Sequence, residues 1–268
     1  MPPCALVRGG MRRVTANKWG MDGFGPSSYG DAFADVYDEW YADLGDDDFV
    51  SMLAGLLPAR RARVLELGVG TGRLLSRLAD IRGTDHDELH GIDTSTAMLG
   101  RARAVPALAA ATLDTGDFSE SLPDGPFDLV FCGWNTLLNL PDDDAVARTF
   151  ALVARRLAHG GCLAVDASLP APGPAGDHVG IREIDAGRVV LSVSRHDPGS
   201  RRIVGQFVEF TNGAGAVLRP WSVRWVPVAG LDAFAAAAGL ETVSRHADGR
   251  GAPFTDESTR HVSVWRRP

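Results

Sequence analysis

Lysine, cysteine and net positive charge are all scarce in this sequence. Lys18 is the single lysine among 268 residues, and the formal net charge is −7. The three cysteines lack the spacing to another cysteine or to a histidine that a zinc site requires. An acidic chain has no basic field to attract a nucleic acid backbone. We therefore expect no metal site and no nucleic acid partner.

Long apolar runs are also missing. No run reaches membrane-spanning length, and the N-terminus lacks the apolar core of a signal peptide. Scattered, unpaired cysteines are typical of a reducing compartment. These features predict a cytoplasmic protein without a membrane partner, either a monomer or a homodimer. Its length suits one α/β domain with an insertion.

The best-defined feature is a strand, a glycine-rich turn and the start of a helix, within residues 64–74. The segment reads Val-Leu-Glu-Leu-Gly-Val-Gly-Thr-Gly-Arg-Leu. This order predicts the first βα unit of an open α/β sheet. Glycines allow turn angles that a Cβ opposes and let a ligand approach the main chain. The helix directs its free N–H groups at that ligand, so we expect a nucleotide-like molecule.

The spacing of the glycines bears on which nucleotide binds. Gly68, Gly70 and Gly72 alternate, and no Gly-x-Gly-x-x-Gly pattern of a dinucleotide site is present. Asp93 follows Gly72 by 21 residues, the distance at which an acid at the end of the second strand can accept from both ribose hydroxyls. Such an acid serves NAD and S-adenosylmethionine alike. A single lysine leaves no Ser-Tyr-x-x-x-Lys set, which also disfavours a dehydrogenase.

With Glu66 before it, the glycine turn resembles motif I of the class I S-adenosylmethionine-dependent methyltransferases. The resemblance implies S-adenosylmethionine as the cofactor, its methionine end held by Glu66 and the turn. Residues 115–118, Thr-Gly-Asp-Phe, resemble the family's Gly-Asp-hydrophobic segment. There the aspartate accepts from the adenine amino group, although Asp117 could also be a plain turn residue.

Further cofactor contacts are expected around these motifs. Thr94 caps the helix after the second strand, Met98 packs towards the adenine, and Cys132 ends the fourth strand. The cofactor-binding residues predicted in this way are Tyr29, Glu66, Gly68, Gly70, Gly72, Asp93, Thr94, Met98, Asp117, Phe118 and Cys132.

The N-terminal part divides into two segments. Residues 1–28 lack periodicity, so we expect disorder there, followed by a helical cap over residues 29–58. Residues 29–41 resemble the N-terminal segment of small-molecule methyltransferases, including amino-sugar N-methyltransferases. That resemblance implies that Tyr29 covers the cofactor, that Tyr37 is catalytic and that Tyr41 faces the acceptor. The alternative is a helix that packs its aromatic stripe on the core.

The acceptor is expected beyond the fourth strand. Residues 133–142 resemble the corresponding stretch of glycine N-methyltransferase, which makes Asn135 the predicted catalytic contact and Asn139 its neighbour. Glycine itself is not the expected acceptor, because residues 166–168 lack the arginine that would hold its carboxylate. Trp134 is either a pocket wall or core, and His196 is either a contact or solvated. The predicted substrate-binding residues are Tyr41, Trp134, Asn135, Asn139, His196, Trp221 and Arg224, and no metal ligands are predicted.

The second half of the chain contains patterns typical of antiparallel strands. After the breaker-rich residues 168–178, alternating runs over 188–196, 201–210 and 216–225 predict a three-stranded antiparallel meander within an insertion, residues 179–226, over the active site. Strands at 241–246 and 261–265 then predict the antiparallel closing hairpin of a methyltransferase sheet. The predicted fold is α/β, with a Rossmann-like class I methyltransferase sheet in a domain over residues 29–268.

The function predicted from these features is methyl transfer from S-adenosylmethionine to an N or O atom of a small molecule. A secondary metabolite or an amino sugar is the expected acceptor class. An NAD-dependent oxidoreductase and a non-catalytic protein that retains the fold remain the alternatives.

Overall fold

The structure is a computed structural model that describes residues 17–45, 47–169 and 174–268. The helices are α1 (Ser28–Phe33), α2 (Tyr37–Trp40), α3 (Asp47–Leu56), α4 (Arg73–Arg82), α5 (Thr96–Ala102), α6 (Asp143–Arg156) and α7 (Val228–Ala237). The strands are β1 (Arg63–Leu67), β2 (Glu88–Asp93), β3 (Thr112–Thr115), β4 (Phe127–Cys132), β5 (Leu157–Ser168), β6 (Gly176–Ile184), β7 (Arg188–Asp197), β8 (Arg202–Thr211), β9 (Ala216–Arg224), β10 (Glu241–His246) and β11 (Arg260–Arg266). Short 3-10 helices cover Pro106–Leu108 and Thr136–Asn139.

The main sheet has seven strands in the order β3-β2-β1-β4-β5-β11-β10. Strands β1 to β5 pair in parallel, whereas β11 runs antiparallel to both β5 and β10. The strand order reverses between β1 and β4, and in open α/β sheets ligands bind outside the carboxyl ends of the strands at such a point. The predicted Rossmann-like sheet and its closing hairpin are confirmed.

Both faces of the main sheet are covered, which explains the near-continuous apolar character of its strands. On one face Phe150 and Trp265 are fully buried in a cluster that includes α6 and α7. On the other face Leu53 and Leu75 bring α3 and α4 against β1 and β4. This core fixes the carboxyl edge of the sheet, where the glycine turn follows β1.

Strands β6 to β9 form a separate antiparallel sheet, here called the insertion sheet. It has four strands, so the prediction of three strands is corrected. The missed strand, β6, contains Gly176 and Gly180, and its register shifts between Ile181 and Glu183. Glycines and a bulge interrupt the alternation from which a strand is predicted.

Residues 17–27 also differ from the expected disorder, while residues 1–16 lie outside the described residues. Trp19 and Phe24 are buried, and the Asn17 side-chain amide donates to the Phe24 carbonyl at 2.7 Å. The Ser222 hydroxyl of β9 donates to the Trp19 carbonyl at 2.7 Å. The segment therefore packs between the insertion sheet and the main domain.

Candidate functional site

The glycine turn lies at the carboxyl edge of the sheet and has the backbone that the sequence predicts. Gly68 and Gly70 have φ of 66° and 54°, in the left-handed region that L side chains rarely adopt. A Cβ on Gly68 would lie 2.2 Å from the Thr136 side chain, whereas a Cβ on Gly70 would meet nothing within 4 Å. Gly70 therefore presents bare main chain to open space, as close approach of a ligand requires.

A cleft of about 790 Å³ begins at this turn and is called the main cleft. This volume includes the solvent-filled space at the open mouth of the cleft. Its lining combines aromatic rings, glycine backbone and a few polar groups. The lining residues are Trp19, Phe24, Pro26, Tyr29, Gly30, Tyr37, Gly68, Gly70, Asp93, Thr94, Met98, Asp117, Phe118, Thr136, Asn139, Leu140 and Pro141.

A smaller cleft of about 290 Å³ adjoins the main cleft and shares Tyr37, Gly68, Gly70 and Thr136 with it. Glu66, Arg73 and Trp134 are also on its wall. The two clefts together follow the turn on both sides. The acid and the glycines of the motif therefore face one continuous region.

Asp93 ends β2 and reaches back to the glycine turn. Its two carboxylate oxygens accept from the backbone N–H groups of Gly70 and Ser95, each at 2.9 Å. Burial raises the pKa of Asp93 above its usual range, although these hydrogen bonds oppose the rise. The side chain is thus fixed at the edge of the main cleft, where it can accept from further donors.

Asp117, after β3, lies at the other end of the same wall. One of its carboxylate oxygens accepts from the Ser119 backbone N–H at 2.8 Å and from the Ser119 hydroxyl at 2.7 Å. Phe118 and Met98 line the cleft beside it. A carboxylate between an aromatic ring and a thioether is a suitable environment for a planar heterocycle with an exocyclic amine.

Tyr29 of α1 lines the main cleft and Tyr37 of α2 lines both clefts, whereas Tyr41, directly after α2, lines neither of them. The Tyr29 hydroxyl donates to the Tyr41 hydroxyl at 3.5 Å, and the rings of Tyr37 and Tyr41 are 4.8 Å apart. Burial raises the pKa of Tyr37 to about 12, although Arg73 opposes the rise. Burial likewise raises the pKa of Tyr29. Their hydroxyls stay protonated at neutral pH and can donate hydrogen bonds.

Two contacts join α1 and the segment before it to Thr94 and Ser95, which follow Asp93. The Ser95 hydroxyl donates to the Asp31 carboxylate at 2.7 Å, and the Thr94 hydroxyl donates to the Pro26 carbonyl at 2.9 Å. Ser95, and not Thr94 as predicted, caps α5, because the Ser95 hydroxyl oxygen accepts from the Met98 N–H. These hydrogen bonds hold α1 and the segment before it in a fixed position relative to Asp93.

Asn135, the predicted catalytic contact, lies outside the lining of both clefts as the structure describes them. Its backbone is left-handed, with φ of 65°, and its side-chain oxygen accepts from the Ser168 N–H at 2.6 Å. The amide oxygen therefore joins the loop after β4 to the end of β5, and the predicted contact of Asn135 with an acceptor stays a prediction. Asn139, one helical turn later, does line the main cleft.

Trp134 forms a wall of the smaller cleft and contacts two arginines. The guanidinium of Arg260 lies 4.0 Å from the centre of its ring, and that of Arg73 lies 5.4 Å away. Arg260 in turn pairs with both oxygens of the buried Asp166. The loop after β4 is thus anchored to β5 and β11.

Three predicted substrate contacts on the insertion sheet also lie away from both described clefts. The His196 ring packs against His178 with centres 4.2 Å apart, and Trp221 packs against Phe207. Arg224 is buried and pairs with Asp143 at the start of α6. His196 on β7 and Trp221 and Arg224 on β9 thus make packing and anchoring contacts with neighbouring elements, and their contact with an acceptor stays a prediction.

Cys132 is fully buried in the core beneath the sheet edge and does not appear among the described lining residues. Burial raises the pKa of its thiol well above the usual range, and the charge of Glu66 adds to the rise. Its predicted cofactor contact is therefore corrected to a core position. A neutral, buried thiol is also no nucleophile.

The prediction missed part of the cleft wall. Trp19, Phe24 and Pro26 come from the segment that was expected to be disordered, and Leu140 and Pro141 come from the loop before α6. The available signal for an ordered segment was the presence of two large aromatic residues, Trp19 and Phe24, among many glycines and prolines. Their position depends on contacts with β9 and on no local pattern.

Two further predictions concern what the site and chain contain. In the described parts of the chain, no group of three or more histidine, cysteine or acidic side chains could hold a metal ion. No helix in those parts is long and apolar enough to cross a membrane.

Comparison with known proteins identifies the class. A family model described as a methyltransferase domain matches residues 64–161. The structure of the CcbJ methyltransferase from Streptomyces caelestis superposes with a TM-score of 0.81 at 34% identity, over 91% of this chain and 99% of that one. The sugar N-methyltransferase KedS8 from Streptoalloteichus sp. gives a TM-score of 0.65 at 25% identity, over 92% and 99% of the two chains.

Curated relatives match over shorter stretches. The trans-aconitate 2-methyltransferase of Methylobacterium nodulans is 34% identical over 126 residues, which are 47% of this chain and 45% of that protein. The matched stretches span about half the length of these curated relatives, between 42% and 53%.

Fold, cleft and comparisons agree on one family. The chain belongs to the class I S-adenosylmethionine-dependent methyltransferases, and it is an enzyme whose cofactor is S-adenosylmethionine. The residues present fit that cofactor, because Gly70 leaves open the space that a side chain would enter beside Asp93. The antiparallel β11 and these matches leave the NAD-dependent alternative without support.

Proposed function

We propose that this enzyme methylates a nitrogen or oxygen atom of a small molecule, with an amine of an amino sugar or of another secondary metabolite as the favoured acceptor. The observation that carries the proposal is the shape of the main cleft, which runs from the glycine turn to Asn139 and the rings of Trp19 and Phe24. A concave, mainly apolar cleft with a few polar groups suits a small ligand. The likeness to the sugar N-methyltransferase KedS8 supports this acceptor class.

The cofactor roles follow the positions of the acids around the glycine turn. We assign Asp93 to the ribose hydroxyls, because its carboxylate faces the cleft beside Gly70. Asp117 is assigned to the adenine amino group, and Glu66 to the methionine end in the smaller cleft. An aspartate with fixed orientation can accept from both hydroxyls of a ribose without reorganising.

The protein's contribution to the reaction is orientation and exclusion of water. S-adenosylmethionine supplies a methyl group activated on a sulfonium, so the cofactor carries the intrinsic reactivity. The cleft has to align the acceptor atom with that methyl group, and such alignment can supply about 7–11 kcal/mol of the barrier. Tyr29 and Tyr37 close the cleft from the side of α1 and α2.

Tyr37 can orient the acceptor but does not deprotonate it at neutral pH. Because its pKa is raised to about 12, its hydroxyl donates a hydrogen bond at neutral pH and does not remove a proton. A neutral amine needs no general base to attack a methyl group, whereas a hydroxyl acceptor often does. Asn139 can orient either group through its amide without taking a proton.

We also assign the cap, residues 29–58, and the insertion sheet to covering the active site. The ring of Phe207 on β8 packs edge-on against Phe33 and Trp40 of the cap, with centres 5.9 and 5.5 Å apart. The insertion sheet thus supports the cap from outside, and the cap supplies the tyrosines.

The first test is calorimetric titration with S-adenosylmethionine, S-adenosylhomocysteine and NAD in parallel. We expect micromolar binding of the first two and none of NAD. The second test is transfer of a labelled methyl group to matched pairs of amino and hydroxy sugars. Transfer to the amine of each pair is expected. Transfer only to hydroxyls, or cofactor binding without any transfer across a wide amine panel, would contradict the amine assignment.

A further inference from the structure

Arg182 differs from the other arginines of the insertion sheet. The sheet and its turns contain seven arginines, within residues 176–224. Arg202 is buried and donates to the Ser222 hydroxyl and the Pro141 carbonyl. Five others pair with carboxylates, namely Arg188, Arg195, Arg201, Arg219 and Arg224. Arg182 is exposed and, among the residues that the structure describes, has no carboxylate partner.

The guanidinium of Arg182 lies on three aromatic rings. It is 4.5 Å from the centre of the Trp40 ring, 5.1 Å from that of Phe207 and 5.5 Å from that of Tyr41. One of its nitrogens donates to the Trp40 carbonyl at 3.3 Å. A guanidinium has five N–H donors in a planar fork. The rings and the carbonyl therefore fix the position of the cation and leave most of its donors for a ligand.

A bulge in the edge strand β6 sets the position of Arg182. Ile181 pairs with Leu191, and Glu183 pairs with Val190. Arg182 is therefore an extra residue between two consecutive pairs. β-Bulges change the direction of a side chain and are frequent at sheet edges and next to active sites. Here the side chain at the bulge lies against the cap.

Two other arginines contact the same Trp40 ring, and both are neutralised. Arg188 and Arg219 lie 5.6 and 5.5 Å from the ring centre. Each pairs with carboxylates at distances between 2.6 and 3.3 Å, which are Glu39, Glu183 and Glu209 for Arg188, and Asp35 and Glu209 for Arg219. These ion pairs occupy the nearby acids, so the charge of Arg182 stays available to a ligand.

Arg182 lies one side chain away from the main cleft. Its guanidinium contacts Tyr41, whose hydroxyl accepts from that of Tyr29 at 3.5 Å, and Tyr29 lines the cleft. Burial and the neighbouring tyrosines raise the pKa of Tyr29, whereas the positive charge of Arg182 acts against this rise. An acceptor bound beside Tyr29 can therefore extend over Tyr41 to Arg182.

We infer that Arg182 binds an anionic group of the methyl acceptor, either a carboxylate or a phosphate. A planar guanidinium matches two oxygens of either group with parallel hydrogen bonds. The described lining of the main cleft contains no cationic side chain, and its acids are Asp93 and Asp117, which are assigned to the cofactor. The inference rests on the proposed function, because it assigns a charge to the acceptor of that same site.

The test is calorimetric titration of the full chain saturated with S-adenosylhomocysteine, which gives a complex that cannot react. The probes are glucosamine, its terminal phosphate ester and glucosaminuronic acid, which share the amine and differ in the charge of one group. We expect the better anionic probe to bind the wild type at least tenfold tighter than glucosamine, because its hydrogen bonds to Arg182 are charge-assisted. The identity of that probe distinguishes a phosphate from a carboxylate site.

The affinity ratio between the anionic probe and glucosamine should fall to near one in Arg182→Gln. Arg182→Lys keeps the charge without the planar fork, so its ratio should be intermediate. Arg195→Gln is the matched control, since Arg195 is an exposed arginine of the neighbouring strand β7 that pairs with Asp177. The control should keep the wild-type ratio. Binding of S-adenosylhomocysteine shows whether each variant is folded.

Equal affinity of the wild type for all three probes, or binding of none, would overturn the inference. A folded Arg182→Gln variant that keeps the wild-type ratio would overturn it too, because Arg182 would then support the cap and not contact the anion. Transfer of a labelled methyl group to the same probes tests the proposed function separately. Probes that bind according to their charge but receive no methyl group would contradict the proposed function and leave the anion site standing.

Discussion

The carboxylate of Asp38 accepts a hydrogen bond from the hydroxyl of Thr71, with 2.6 Å between the two oxygens. Thr71 belongs to the glycine turn and is buried, and Asp38 follows Tyr37 in α2. The contact therefore links the cover of the cleft directly to the turn beneath it. Arg101 on α5 lies 3.4 Å from the other oxygen of Asp38 and holds the carboxylate from the second side.

We predict that removing this link weakens cofactor binding. A hydrogen bond to a charged group contributes about 1.5–3 kcal/mol, so Asp38→Ala should raise the Kd for S-adenosylmethionine by roughly 10- to 100-fold. Asp38→Asn keeps an acceptor oxygen, so its Kd for S-adenosylmethionine should lie between those of Asp38→Ala and the wild type. Calorimetric titration measures both values.

The same link can be tested from its other end. Thr71→Val should weaken binding to a similar extent, and the double variant Asp38→Ala/Thr71→Val should be little worse than either single one, because both changes remove one contact. Asp43→Ala, an exposed aspartate after the same helix, is the control with wild-type affinity expected. Additive losses in the double variant would show that the two residues act separately.

The cofactor half of the site was predictable because its signals are local. The glycine turn, Asp93 and Asp117 each stand at a strand end that the apolar pattern fixes, and strand ends of a parallel sheet meet at one edge. The partners that hold these residues were not predictable. The pairing of Ser95 with Asp31 joins residues 64 positions apart, and nothing in either local sequence indicates it.

Gly70 and Asp93 provide the sharpest test of the cofactor site. Gly70→Val and Asp93→Ala should each abolish binding of S-adenosylmethionine at concentrations up to 100 times the wild-type Kd, the first by filling the cleft and the second by removing acceptors. Gly239→Val is the matched control, since Gly239 also has a positive φ, at 78°, and an open environment, but follows α7. This control variant has the same backbone strain and should bind S-adenosylmethionine with wild-type affinity.

Protein folding has to be separated from binding in that experiment. A residue with a side chain in the left-handed region costs about 1–2 kcal/mol, which Gly70→Val and Gly239→Val share. Equal melting temperatures with unequal affinities are therefore the expected result. Unchanged affinity in both site variants would contradict the cofactor assignment.

Only some of the predicted acceptor contacts line the two clefts that the structure describes, for a physical reason. The resemblance of residues 133–142 to another methyltransferase placed Asn135 at the acceptor, but a motif does not specify the direction of a side chain. Here a φ of 65° turns Asn135 towards the Ser168 N–H, while Asn139 reaches the cleft. Long-range packing also decides the positions of His196 and Arg224.

Replacement by alanine should therefore lower the stability of the protein at Asn135 and its methyl transfer activity at Asn139. Asn135→Ala leaves the Ser168 N–H without its partner and puts alanine in a left-handed backbone, so we expect a loss of about 1–3 kcal/mol in the free energy of unfolding. Asn139→Ala should leave stability within about 0.5 kcal/mol and lower methyl transfer at least tenfold. Urea denaturation and initial rates with a labelled cofactor measure the two effects. The reverse result, with Asn135→Ala stable and inactive, would restore the motif-based assignment.

His261, buried on β11, makes the stability of the fold depend on pH. Its ring contacts the Ser263 hydroxyl at 2.9 Å, and burial, with smaller effects of Arg245 and Arg260, lowers its pKa to about 4. In the unfolded chain a histidine titrates near its usual value of about 6.5. Between these two pKa values the unfolded state binds the proton and the folded state does not.

The contribution of His261 to stability is therefore complete above pH 6.5 and falls as the pH is lowered towards 4. The loss can reach about 3 kcal/mol, at 1.36 kcal/mol for each pKa unit. We predict that His261→Gln removes this part of the pH dependence, so that its free energy of unfolding declines less between pH 7 and pH 4.5 than that of the wild type. His86→Gln, at a more exposed histidine before β2, should retain the wild-type slope. Urea denaturation at several pH values measures the slopes, and parallel curves for wild type and His261→Gln would mean that the buried ring does not carry this dependence.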